Sequence, residues 1–212
     1  MNVVGLIAAG GSGERLGANR PKAFVVLGGR PMLEWSVEVL TAACDRVVVA
    51  VPPGQEREPD WVAGGSSRSA SVRNAVEAAP EAELVVVHDA ARPLLRPDLV
   101  RRCILAAAEA DGAIAAAPLT DTVKEADFSR RVLRTLDRST LWAVQTPQVF
   151  RADVLRRALA VDDSTLAAAT DDASLVEVAG GAVVVVEAPA ENFKVTTVAD
   201  LRRAEGILAD RC

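Results

Sequence analysis

The chain contains no tyrosine, one histidine and only 3% aromatic residues, although 50% of its 212 residues are hydrophobic. With so few rings, the core must be filled by Val, Leu and Ala, a composition that fits a parallel sheet covered by helices. One histidine cannot build a histidine metal cluster. Basic residues are also in deficit. A formal net charge of -5 argues against a nucleic-acid surface or an anionic membrane as partner, since each needs a basic face. No apolar run reaches the roughly 18 residues of a membrane span. The short N-terminal apolar run has no Lys or Arg before it, so no signal peptide is expected. Three cysteines, Cys44, Cys103 and Cys212, lack metal-type spacing and leave an odd count, which predicts a reduced, cytoplasmic protein. No internal repeat occurs, and the length predicts one domain over 1–212.

What is present begins with the stretch Leu6 to Phe24, LIAAGGSGERLGANRPKAF. A short apolar strand runs at once into Gly10, Gly11 and Gly13, where backbone can come close to a ligand. Successive N–H groups in such a loop can face one concavity and bind an anion, and Arg15 and Lys22 add side-chain charge. Two familiar phosphate motifs fail here. A dinucleotide fingerprint starting at Gly11 would need glycine where Leu16 stands, and the next strand ends in Ala50-Val51-Pro52 without an acid for a ribose. A P-loop needs a Gly-Lys pair, and the chain has none. There remain a G-x-G-x-R-x-G loop followed by Pro21-Lys22, and the plainer reading of a glycine loop that only turns the chain.

Further along, Pro31 to Ala43 reads as a helix and Arg46 to Val51 as a buried strand. Gly64 to Ser71 opens a helix running to about Ala79, with several N-cap hydroxyls and Arg68 at its mouth. This is either a second anion site or an ordinary capped helix. Leu84 to His88 is a strand followed by Asp89 and Arg92; ligands of open α/β sheets sit at such strand ends. His88 is read as orienting the turn. Pro97 to Ala110 is a helix and Ala113 to Ala117 a strand. Between Pro118 and Arg138 the alternation breaks into two short arms of a hairpin, a dimerisation arm spanning about 118–140. Leu141 to Phe150 returns to the core, with Pro147 marking an irregular or edge position. Asp153 to Leu159 and Thr170 to Val178 read as helices, Val183 to Glu187 as a strand and Val198 to Ala209 as a final helix. The pattern predicts an α/β fold with a doubly wound, mainly parallel sheet and a protruding β-arm.

Five separated stretches together resemble the 2-C-methyl-D-erythritol 4-phosphate cytidylyltransferases: AAGGSGERLG with PKAF, GGSSRSASV, HDAARP, DTVK with LDR and LWAVQTPQVF, and TDDAS with ENFKVT. The resemblance implies a Rossmann-like nucleotidyltransferase fold. It also implies transfer of CMP from CTP to an alditol phosphate with release of pyrophosphate, assisted by Mg2+. By the same resemblance, Arg15 and Lys22 are the catalytic pair on the CTP phosphates. Ala9, Gly10, Gly11, Gly13, Gly65, Ser66, Arg68, Ser71, Asp89 and Ala90 bind the nucleotide. Arg92, Thr122, Arg138 and Lys194 position the acceptor, and Asp89 stands beside the metal. Thr122 and Arg138 lie on the arm, which in the family reaches a neighbouring subunit's site, so a homodimer is implied. Ala8 and Gly10 stand where members often have Pro and Ala, and Ser66 replaces a frequent Asp. Two alternatives stay open: a cytidylyltransferase for another alditol phosphate, such as ribitol 5-phosphate, and a non-catalytic nucleotide-binding subunit.

Overall fold

The first strand, β1 (Val3–Ala8), shows how the core is divided. Successive strand residues point to opposite faces. Val4 and Leu6 therefore join one apolar cluster, while Val3 and Ile7 join a second on the other side of the sheet. The computed structural model of the chain describes residues 1–16 and 20–211; Gly17, which closes the glycine-loop motif, and Cys212 lie outside the described residues.

After β1 come two single turns of 3-10 helix, Glu14–Leu16 and Lys22–Phe24, a small antiparallel ribbon of β2 (Val26–Leu27) and β3 (Arg30–Pro31), and α1 (Met32–Thr41). The chain continues through β4 (Arg46–Val51), β5 (Trp61–Ala63), α2 (Arg68–Glu77), β6 (Leu84–Asp89), α3 (Pro97–Ala107) and β7 (Gly112–Pro118). The arm follows as β8 (Lys124–Ala126) and β9 (Val132–Thr135). Then come β10 (Trp142–Arg151), α4 (Ala152–Leu159), α5 (Asp163–Ala168), α6 (Asp172–Val178), β11 (Val183–Glu187) and α7 (Val198–Ala209).

The main sheet has the order β11-β7-β10-β6-β1-β4-β5. Every neighbouring pair is parallel except the two made by β10, which runs antiparallel to both β6 and β7. Helices α2, α4, α5 and α6 cover one face, with Val72, Leu155 and Leu166 in that core. Helices α1 and α3 cover the other, with Leu33, Leu40 and Leu99. This is the doubly wound, mainly parallel arrangement that the sequence pattern predicts. A third cluster of Leu16, Leu27, Met32, Leu94, Val195, Ala204 and Leu208 lies under α7 and ties the glycine loop to the Lys194 segment.

The elements start where the caps stand. The Ser67 side chain accepts from the Ala70 amide to begin α2, and Thr197 with Asp200 forms a capping box for α7. Pro147 takes the irregular rather than the edge position of the two expected: it lies in an interior strand, and the register shift between Val144 and Gln148 supplies the irregularity that a residue without an N–H requires. One boundary is corrected: the helix expected from Thr170 begins at Asp172, with Asp171 as its cap. Three short features escaped the pattern: the β2–β3 ribbon, β5 and α5.

The arm is different in kind. β9 is exposed along its whole length, and Phe128, Val132 and Leu133 stand in solvent.

Candidate active site

Strands β1 and β6 are adjacent and parallel, with Ala8 opposite Asp89, so their C-terminal ends open on one crevice. The glycine loop leaves β1 there. Gly13 has φ of 80°, and a side chain on it would place its Cβ 2.8 Å from the Arg20 carbonyl oxygen, so only glycine fits. The loop is closed when the Lys22 amide donates to the Gly11 carbonyl at 2.9 Å. A second loop meets it before α2. The Gly65 amide donates to Ser71 Oγ at 3.0 Å, and Ser71 donates in turn to the Ser67 carbonyl at 2.8 Å. A Cβ on Gly65 would meet that of Ala70 at 2.6 Å. Ser71 therefore shapes the loop with its hydroxyl rather than offering it outward.

Between these loops lies a cavity of about 440 Å³. All ten residues that the sequence nominated for the nucleotide line it, together with Arg15, Lys22 and Lys194. With Arg68 that makes four cationic residues around one cavity, and the effect on Lys22 is direct. Burial, then the neighbouring charges of Lys194 and Arg15, lower its pKa to about 8 from an ordinary 10.5. An anion arriving there would relieve that repulsion.

Asp89 is the hub. Its Oδ1 accepts from Arg68 Nε at 2.8 Å and its Oδ2 from Lys194 Nζ at 2.7 Å. Burial by itself would raise its pKa, yet Arg68 and Lys194 outweigh burial and hold it well below the usual carboxylate range. Arg68 also donates through Nη1 to Asp172 Oδ2 at 2.6 Å. Asp172 is fully buried, and that burial raises its pKa. No local pattern singles out Asp172: it is the first residue of a short helix whose cap, Asp171, holds Gln148 Nε2 at 2.8 Å.

A second cavity of about 380 Å³ shares Arg68, Asp89 and Lys194 with the first and continues along β10 and the start of α6. Arg92, Gln145, Thr146 and Gln148 line it. Arg92 donates from Nη1 to the Asn192 carbonyl at 2.8 Å, and burial lowers its pKa. Its Nε is buried without a hydrogen-bond partner, as is Gln148 Oε1. Sequence reasoning passed over Thr146 and Gln148, because nothing in a strand pattern says which residues face a cavity.

His88 does orient the turn after β6: its Nε2 lies 3.2 Å from the Arg92 carbonyl. Thr122 and Arg138 are exposed on the arm and line neither cavity, so one chain does not bring them to the crevice. Cys44 and Cys103 are free thiols pushed up to about 12 by burial, which suits inert packing residues.

Known proteins are similar to this chain in sequence and in fold. The family model described as IspD, 2-C-methyl-D-erythritol 4-phosphate cytidylyltransferase, matches residues 3–210. A 2-C-methyl-D-erythritol 4-phosphate cytidylyltransferase of Frankia casuarinae is 48% identical, the match covering 99% of this chain and 82% of that one. The bifunctional enzyme IspD/IspF of Anaeromyxobacter dehalogenans is 47% identical over 97% of this chain, which spans 57% of that longer protein. A crystal structure of the cytidylyltransferase from Thermus thermophilus superposes with a TM-score of 0.85 at 37% identity, covering 99% of this chain and 100% of that one. With the family model spanning residues 3–210 and relatives nearly half identical covering almost the whole chain, the chain belongs to the 2-C-methyl-D-erythritol 4-phosphate cytidylyltransferase family.

Proposed function

We infer that this chain catalyses the reaction of its family, the transfer of CMP from CTP to 2-C-methyl-D-erythritol 4-phosphate. The observation that carries the mechanism is the convergence of Arg15, Lys22 and Lys194 on a cavity floored by glycine backbone. A phosphate monoester has a second pKa of about 6, so the acceptor is already largely dianionic and needs no enzymic base. Its oxygen forms a bond to the α-phosphorus of CTP. The bond from that phosphorus to the bridging oxygen breaks, and pyrophosphate leaves with the electron pair. The obstacle is anion meeting anion, and cations fixed in place before reaction lower it.

Mg2+ fits this site as an ion that arrives with the nucleotide. Asp89 is the only acid among the described residues lining the first cavity, and Mg2+ in phosphate sites is held by one or two carboxylates plus substrate oxygens. The ion would neutralise charge on the phosphates beside Asp89; Arg68 and Lys194 keep that carboxylate ionised and aimed.

The second cavity takes the acceptor, with Arg92 and Lys194 as its cations. The protein works as a homodimer in which each arm supplies Thr122 and Arg138 to its neighbour. Exposed Phe128, Val132 and Leu133 support this, since apolar side chains on a protruding hairpin call for a partner surface. The acidic balance and unpaired thiols support a reduced, cytoplasmic setting without a nucleic-acid partner. Among the described residues no helix is long and apolar enough to cross a membrane.

The test is pyrophosphate release by the purified protein with CTP, Mg2+ and 2-C-methyl-D-erythritol 4-phosphate, with ribitol 5-phosphate as rival acceptor and ATP, GTP and UTP as rival donors. Release with CTP and methylerythritol phosphate alone is expected. Release with ribitol 5-phosphate alone would move the chain to the other alditol, and silence with every pair would favour a non-catalytic subunit.

A further inference from the structure

The lone histidine sits beneath the second cavity, and with its ring neutral its hydrogen bonds have only one consistent polarity. His88 is fully buried. Its Nε2 lies 3.2 Å from the Arg92 carbonyl oxygen, which can only accept, so Nε2 carries the ring proton. The Nδ1 of the neutral ring is then bare, and it lies 2.9 Å from Thr146 Oγ1. The Thr146 hydroxyl must therefore donate to the ring. The same oxygen accepts from the Asp89 amide at 3.2 Å. A hydroxyl has one proton and two lone pairs. With the proton directed inward and one pair taken by Asp89, Thr146, which lines the second cavity, has a single lone pair left and no donor.

We propose that His88 is a positioning residue for the acceptor: by taking the Thr146 proton and holding the Arg92 carbonyl, it makes Thr146 a pure hydrogen-bond acceptor that selects a substrate hydroxyl and turns away a phosphate oxygen. The proposal rests on the reading of the second cavity as the acceptor site. It separates the two ends of a polyol phosphate, the hydroxyl at Thr146 and the anion at the cations Arg92 and Lys194, which line the same cavity. The ring is fully buried and its two nitrogens face a carbonyl and a hydroxyl rather than a carboxylate, an environment that holds it neutral.

Because the chain holds one histidine, 15N-histidine labelling of the untagged protein gives the spectrum of this ring alone. Protonated Nε2 and bare, hydrogen-bonded Nδ1 are expected, with the Nδ1 signal moving in Thr146→Val. The opposite tautomer, or no response to Thr146→Val, would overturn the relay independently of any turnover. Wild-type turnover with CTP and methylerythritol phosphate, measured first, tests the functional reading separately.

For the role in recognition, His88→Phe should raise the acceptor KM about tenfold, the scale of one lost hydrogen bond, with kcat and the CTP KM nearly unchanged. His88→Asn, whose amide oxygen can still accept from Thr146, should recover most of that loss. In a Thr146→Val background, His88→Phe should add little, since His88 acts through Thr146. Equal effects on both KM values, or full additivity with Thr146→Val, would reduce His88 to a packing residue. If His88→Phe does not fold, His88→Asn compared with Thr146→Val and Thr146→Ser carries the same test: Ser keeps the hydroxyl and should retain acceptor affinity, whereas Val should lose it.

Discussion

The two cavities meet at Asp89 but are built in different ways. The first is made from backbone at the ends of parallel strands: the Gly10–Gly13 loop after β1, the Gly65 turn before α2, and the end of β6. The second is made from side chains on an antiparallel strand with a register shift, braced by α6 and the Asn192 segment. Backbone cradles suit a triphosphate, whose oxygens are alike and accept from any N–H. A polyol phosphate has hydroxyls to be told apart, and that requires side chains of fixed polarity. On the proposed reading, the first cavity supplies charge and the second orientation.

The largest expected effect comes from one of the residues the two cavities share. Arg68→Met should lower stability by about 3–5 kcal/mol, because Asp172 would be left fully buried without its ion-pair partner. Urea unfolding measures the loss, which should shrink at low pH as Asp172 protonates. A stable variant would mean that the wall between the cavities does not depend on this network.

The next effect belongs to the first cavity alone. Lys22→Ala should lower kcat about 100- to 1,000-fold while the protein stays folded. Near-normal turnover would break the division of labour, because charge would then have to come from elsewhere.

Third comes the acceptor side. Arg138→Ala should raise the acceptor KM about 10- to 100-fold with little change in the CTP KM. Mixed dimers of Arg138→Ala and Lys22→Ala subunits should regain one intact site. No recovery on mixing would count against an arm that serves its neighbour.

The mildest test is pH. Lys22 is charged below about 8 and loses its proton above it, since burial and like charges lower its pKa. The kcat/KM for CTP should be level below pH 8 and fall about tenfold per unit above it, as expected for an essential group of the free enzyme. Lys22→Arg, with a group that stays charged, should remove that fall. An unchanged profile would assign the descent to another group.

The first cavity could be read from sequence because its makers are local. Glycine spacing, a cap hydroxyl and the polar residues after an apolar run are consequences of one stretch of backbone, so Gly13, Gly65, Arg68 and Asp89 announce themselves. The main strands and helices were legible for the same reason, since periods of two and 3.6 residues are local properties. Only tertiary structure decided the rest. Asp172 becomes the buried partner of Arg68 because α6 is brought against α2's mouth, a contact between residues 104 positions apart. Thr146 meets His88 because β10 runs antiparallel beside β6, a direction no strand pattern encodes. A sequence determines which groups are available and the local shapes that present them. Which buried charge finds a partner, and which way a hydroxyl points, is settled only when distant strands come into register, because such groups must be paired by whatever packing brings beside them.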